Sequence, residues 1–76
     1  MENPNKLLWR CRRGTKELDM LTRKFLDTHY LNVDPELKRA FESMLDMQDT
    51  ELYALLIGNQ TSHDHNINKV IQIIQD

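Results

Sequence analysis

Apolar residues in this chain recur at intervals of three and four and rarely at two. That spacing lines up one face of a helix and would scatter over both faces of a strand, so it points to helices from end to end. Little interrupts them. There are two Gly and two Pro in 76 residues, and each Pro follows a capping residue, as Asn3-Pro4 and Asp34-Pro35, the order that opens helices.

The spacing predicts a first helix from the Asn3 cap to about Arg13, with Leu7, Leu8 and Cys11 as its stripe and Gly14 supplying a left-handed stop. A second, capped by Thr15, runs to about His29. Leu18, Leu21 and Phe25 fall in line on it, and Leu26 and Tyr30 widen the face. The third opens at Pro35 with Leu37, Ala40, Phe41, Met44 and Leu45, the clearest amphipathic segment. Asp49 or Thr50 caps a short fourth helix carrying Leu52, Leu55 and Leu56 and ending near Gly58. Asn59 to Asn66 reads as a polar loop. Ile67, Val70, Ile71 and Ile74 make the last stripe. Its β-branched run also suits a strand, but a single strand would have no partner. Met20, Met44 and Met47 read as core fillers. The expectation is all-α: one domain over residues 1–76, a small five-helix antiparallel bundle joined by short loops.

Size bounds function. A globule of this length has a radius of gyration of roughly 11 Å and buries only roughly 60% of the surface its unfolded chain exposes. A pocket of about 300 Å³ would consume much of such a core, which argues against an internal enzyme active site. The lone Cys11 excludes an intramolecular disulfide and a cysteine-only zinc site. No apolar run nears the roughly 18 residues that span a bilayer, and Met1 to Lys6 lacks a signal-peptide core. The expectation is a soluble, reduced, cytoplasmic protein, monomeric and off the membrane.

Charge is unevenly placed. Residues 1–24 hold seven basic groups against three acids, net +4, while residues 25–76 hold three against nine, net −6. The basic groups sit on the first two helices, which suggests one cationic contact face. Trp9, Arg12 and Arg13 are spaced so that they share one side of the first helix, away from Leu7. Trp and Arg are the residues most enriched at interface hot spots. An outward Trp9 beside Arg12 and Arg13 is therefore a candidate partner-binding patch. The alternative is that Trp9 packs inside while the arginines snorkel.

Arg13-Gly14-Thr15-Lys16-Glu17 follows. Helix ends account for much of it: a cation at one C-terminus, an anion in the next first turn, and a glycine between. Glu17, four residues before Leu21, falls in line with the apolar stripe, which implies a partly desolvated carboxylate or one at the rim of a contact.

From Trp9-Arg10-Cys11-Arg12-Arg13-Gly14-Thr15-Lys16-Glu17-Leu18-Asp19 onward, the chain resembles the small FAD assembly factors of succinate dehydrogenase, the bacterial SdhE type with mitochondrial relatives. Their hallmark is an Arg-Gly-x-x-Glu motif where the first two helices join. The likeness continues through Phe25 and Tyr30, the acidic 46–52 stretch and the Val70 to Ile74 helix. It departs in ending at Asp76, where many relatives carry a further polar tail, and in the Ser62 to His65 loop. The resemblance implies a five-helix fold and a non-enzyme. Its partner would be the flavoprotein subunit of succinate dehydrogenase or fumarate reductase, and it would promote covalent attachment of FAD to a histidine of that client. Arg13, Gly14 and Glu17 would lie on the client-contacting face, with Arg13 as a bidentate donor. FAD would belong to the client, with none bound by the factor itself.

Other constellations carry less. His63-Asp64-His65 has no third metal ligand nearby in sequence, and capping with loop polarity explains it better. Cys11 has basic neighbours that would lower its pKa, yet its place beside Leu7 fits a buried small hydrophobe. The alternative class is a small helical regulatory or nucleic-acid-binding adaptor, antitoxin-like, using the Arg-rich first helix. The net negative charge and the nine downstream acids stand against nucleic acid.

Overall fold

The computed structural model describes residues 4–75. Helix α1 spans Pro4–Arg10, α2 Lys16–Thr28, α3 Pro35–Leu45, α4 Asp49–Leu56 and α5 His65–Gln75, with a single 3-10 turn, Tyr30–Asn32, between α2 and α3. No strand occurs among the described residues. The β-branched run is helical because Val70, Ile71 and Ile74, with Ile67, fall on one buried face.

Helix starts follow local chemistry. The Thr15 side chain accepts from the Leu18 amide at 3.3 Å, taking up one of the donors left open at a helix N-terminus. Pro35 opens α3 behind Asp34, although the Asp34 side chain makes no capping bond. The fourth start differs from expectation. Gln48 is the cap and Asp49 the first helical residue, because the Asp49 carboxylate is engaged elsewhere. The Asn3 cap and the Leu8 side chain lie outside the described residues.

The expected five-helix antiparallel bundle needs correcting. Among the described residues the bundle proper has four helices, α2 to α5, and α1 is a seven-residue segment packed chiefly on α2. Short loops in an antiparallel bundle favour contact between sequence neighbours. Instead α5 is the hub, packed on α3, α2 and α4, and α2 also meets α4. The reason is apolar surface. α5 offers four buried side chains in eleven residues, with Ile73 half-buried beside them, so the other helices gather on it.

Leu7, Leu18, Phe25, Phe41, Leu52 and Val70 are fully buried. Phe25 and Phe41 lie with ring centroids 4.5 Å apart and Tyr30 follows at 6.0 Å from Phe41, within the range of favourable tilted pairs. Leu21, Leu26 and Leu37 rim this core. Met44 is buried and Met47 half-buried, but Met20 is 64% exposed and not a core filler. The radius of gyration is 11.0 Å, the value expected from length. Among the described residues no helix is long and apolar enough to cross a membrane.

Candidate functional site

Helix α1 stops at Arg10 rather than Arg13, and the destinations of the backbone hydrogen bonds explain why. The Cys11 and Arg12 amides still bond back to the Leu7 and Trp9 carbonyls, at 3.0 and 3.1 Å. After that the chain's polar groups find partners on other helices. The buried Thr22 hydroxyl lies 3.1 Å from the Cys11 carbonyl and 2.7 Å from that of Leu18. The Arg13 amide donates to the Asp19 carboxylate in the first turn of α2. The Gly14 amide donates to Asp49 Oδ2 on α4 at 2.8 Å. The Cys11 carbonyl and the Arg13 and Gly14 amides are thus satisfied by side chains from beyond the helix.

Gly14 is not left-handed; no described glycine has a positive φ. Its role is space. A Cβ at this position would lie 2.7 Å from Asp49 Oδ2, well inside van der Waals contact, so a side chain would displace the carboxylate.

Arg13 turns inward. Its side chain is only 11% exposed. Nε donates to Asp49 Oδ1 at 2.8 Å, Nη1 to the Leu45 and Arg10 carbonyls at 2.9 and 3.3 Å, and Nη2 to the Met47 carbonyl. The guanidinium therefore caps the end of α3, where a cation meets carbonyls left open by the helix terminus. Arg10 makes a parallel contact, with Nη2 donating to Asp46 Oδ1 at 2.6 Å and to the Glu42 carbonyl at 2.7 Å. Two arginines three residues apart meet two aspartates three residues apart. The bidentate donor expected of Arg13 is already spent inside the chain.

What the junction displays is different. Trp9 is 69% exposed, and the Arg12 guanidinium stacks over its ring, 5.1 Å from the centroid, a cation–π geometry. With Cys11, Asp19 and Arg23 they line a groove of about 400 Å³. A second groove of about 430 Å³, lined by Lys16, Glu17, Asp19, Met20 and Arg23, shares two of those residues and continues the surface along α2. Glu17 is exposed there and makes no hydrogen bond or ion pair among the described residues. Its register offered a partly desolvated carboxylate or one at the rim of a contact, and the exposure of Glu17 removes the first. Met20 stands beside Glu17. Trp9, Met20 and the Glu17 carboxylate are thus all displayed at two adjoining grooves.

Cys11 lies at the floor of the first groove, 2% exposed. Burial raises its thiol pKa above the ordinary value. The Thr22 side chain and the Arg13 and Arg10 charges oppose the shift, and Asp27 adds to it. Desolvation outweighs the basic neighbours, so the thiol is a packed hydrophobe and not an activated nucleophile.

Of the expected site residues, the structure brings Trp9 and Arg12 together, sets Glu17 on the adjoining groove and leaves Gly14 exposed. It turns Arg13 away. Sequence reasoning missed Met20, Asp19 and Asp49. For Asp49 a signal existed: the acidic 46–51 stretch is the natural complement of the basic first helix, with matching spacing.

The His63 to His65 loop serves α5. Asp64 Oδ1 accepts from the Asn66 and Ile67 amides at 2.8 and 3.3 Å, and the Ser62 hydroxyl accepts from the Asp64 amide at 3.0 Å. Capping, as expected, accounts for this polarity.

Comparison with known proteins covers this whole arrangement. The family described as "Flavinator of succinate dehydrogenase" matches residues 5–76. A protein named FAD assembly factor SdhE from Colwellia psychrerythraea is 38% identical over 72 residues, spanning 95% of this chain and 79% of its own. One of the same name from Coxiella burnetii is 36% identical over 70 residues, 92% and 85% of the two chains. Another, from Pectobacterium atrosepticum, is 31% identical over 75 residues, 99% and 85%.

Proposed function

Because this chain belongs to the family of flavinators of succinate dehydrogenase, we propose that it is an assembly factor that binds the flavoprotein subunit of that enzyme and promotes covalent attachment of FAD to it. Relatives spanning most of the chain carry the name FAD assembly factor. The observation that carries the reading on this chain is the displayed face around Arg13-Gly14-x-x-Glu17: Trp9 and Arg12 on one side of the junction, Glu17 and Met20 on the other.

The mechanism that suits such a face is orientation. A 76-residue bundle with shallow grooves can hold a client's domains so that its histidine is presented to the flavin. Holding reactants in a productive geometry is itself a large catalytic effect. The client and its cofactor supply the reacting groups, and the factor supplies surface. Trp9 and Met20 provide apolar anchors, Arg12 a donor for client carboxylates or carbonyls, and Glu17 an acceptor for a client donor. The flavoprotein subunit of fumarate reductase is a second client class in this reading. The chain works in this reading as a cytoplasmic monomer. The nucleic-acid alternative loses ground because Arg10 and Arg13 face Asp46 and Asp49, which removes two cations from the basic face.

The test is in-gel flavin fluorescence of the denatured flavoprotein subunit from cells lacking this protein. The expected result is a lost band, restored by the wild-type chain and not by Glu17→Ala. Glu17 makes no hydrogen bond or ion pair among the described residues, so its replacement removes only a first-turn charge of α2 and the contact it offers a client. A band of normal intensity in cells without the protein sinks the reading.

A further inference from the structure

We infer that Asp49, on α4 and remote in sequence from the family motif, is a positioning residue for client docking: it grips Arg13 and Gly14 and so fixes how the Trp9 side of the face sits against the Glu17 side. The inference rests on the docking reading above and deepens it.

The two halves of the face belong to different elements. Trp9 rides on the end of α1, with the Arg12 guanidinium over its ring, and Glu17 and Met20 lie on the start of α2. Between them run residues 11–15, which are not helical. A link of this kind would let the halves move against each other, and a face that must order itself on binding loses affinity. Two carboxylates remove that freedom. Asp19 takes the Arg13 amide, and Asp49 takes the next one, that of Gly14, at 2.8 Å. Asp49 also accepts from Arg13 Nε at 2.8 Å through its other oxygen. One carboxylate therefore holds both the backbone and the side chain of the turn and ties them to a helix 35 residues away.

Beyond this grip Asp49 serves only as a first-turn acid of α4. Its side chain is 41% exposed and lies outside the hydrophobic core. It does not cap α4, since Gln48 occupies that position. Charge-assisted bonds from a carboxylate to backbone amides are among the stronger polar contacts, and here they are spent on the turn. The same geometry reassigns Gly14. The closest obstacle to a Cβ there is the Asp49 carboxylate, at 2.7 Å. The glycine is needed on the inner side of the turn, for Asp49 to approach, rather than on the outer side for a client backbone.

That reassignment makes the inference testable by epistasis. Affinity is measured by calorimetry between the full chain and the purified flavoprotein subunit of succinate dehydrogenase. Asp49→Ala is expected to weaken binding about tenfold, the equivalent of one charge-assisted hydrogen bond. The Gly14 amide proton resonance should move upfield as its carboxylate partner is lost, while core methyl resonances and far-UV circular dichroism stay in place. Gly14→Ala should weaken binding as well. The double variant Gly14→Ala/Asp49→Ala should bind no more weakly than the worse single variant, because both changes remove the same contact. Asp49→Asn, which keeps the shape and one acceptor, should lose less. It carries the comparison if the alanine variant is too unstable to assay.

Losses that multiply in the double variant overturn the inference and assign Gly14 to the client side. Unchanged affinity in Asp49→Ala, with the Gly14 resonance shifted, overturns it too and leaves the docking reading standing. Failure of the wild-type chain to bind the subunit overturns the docking reading and this inference with it.

Discussion

Two of the junctions of this molecule, residues 11–15 between α1 and α2 and residues 57–64 between α4 and α5, both end in a capped helix, yet they are held in different ways. The second closes on itself. Ser62 and Asn68 exchange two hydrogen bonds, at 2.8 and 2.9 Å, and Asp64 caps the helix it precedes. Its left-handed residue, Asn59 with φ of 60°, is of the type that tolerates that conformation. The first junction is held from afar, by Asp49 and by the carbonyls of Leu45 and Met47, more than 30 residues on. The first also presents Trp9 and Met20 to solvent. Local closure makes a connector, whereas long-range closure fixes a surface. That difference is why the first junction, and not the second, is the candidate site.

The sharpest break of this comparison is Arg13→Ala. It leaves Asp49 without its cation and three backbone carbonyls without a donor. With the side chain largely buried, we expect a loss of about 2–4 kcal/mol, read as a lower midpoint in urea unfolding. Client binding should fall as a consequence. Unchanged stability with binding abolished would reverse the assignment and make Arg13 a direct donor to the client.

The matching change in the other junction, Asp64→Ala, removes a helix cap and two local bonds. The expected cost is about 1 kcal/mol, or about 4–8 °C in thermal midpoint for a chain of this size. Affinity for the flavoprotein subunit should be that of the wild type. A variant that bound several-fold more weakly while remaining folded would bring the 62–65 loop into the contact surface.

The same contrast explains what could be read from the sequence. Features set within a few residues were legible: the Thr15 cap, the Asp34-Pro35 start, the stripes of α3 and α5, and the capping role of the 62–65 loop. The register of the first helix offered an outward Trp9 but left an inward one open, and the exposure of Trp9 decides between them. Features set by tertiary partners were not legible. Arg13 was expected on the Trp9 side because a regular helix would put it there, but α1 stops three residues sooner and the side chain follows the α3 carbonyls. Gly14 was read as a left-handed stop because that is the commonest local reason for glycine after a helix; its actual constraint comes from residue 49. Met20 was placed in the core on hydrophobicity, a one-way rule that does not forbid exposure.

The smallest expected effect tests how firmly the first junction is sealed. Cys11 forms the floor of the Trp9 groove, and burial raises its pKa. In the unfolded chain a thiol loses its proton near its ordinary value of about 8.5. The folded thiol keeps its proton above that point, so the unfolded state there binds fewer protons than the folded one, and stability falls as pH rises. The contribution is intact below the unfolded value and is lost progressively as pH climbs toward the folded one. Urea unfolding of the wild type and of Cys11→Ala, compared between about pH 7 and about pH 9.5, should therefore give a steeper decline for the wild type. Parallel declines would mean that the thiol titrates alike in both states. Water would then reach it through the groove, and the turn over it would open on its own. In that case the long-range contacts of the first junction would hold it no more firmly than the local ones hold the second.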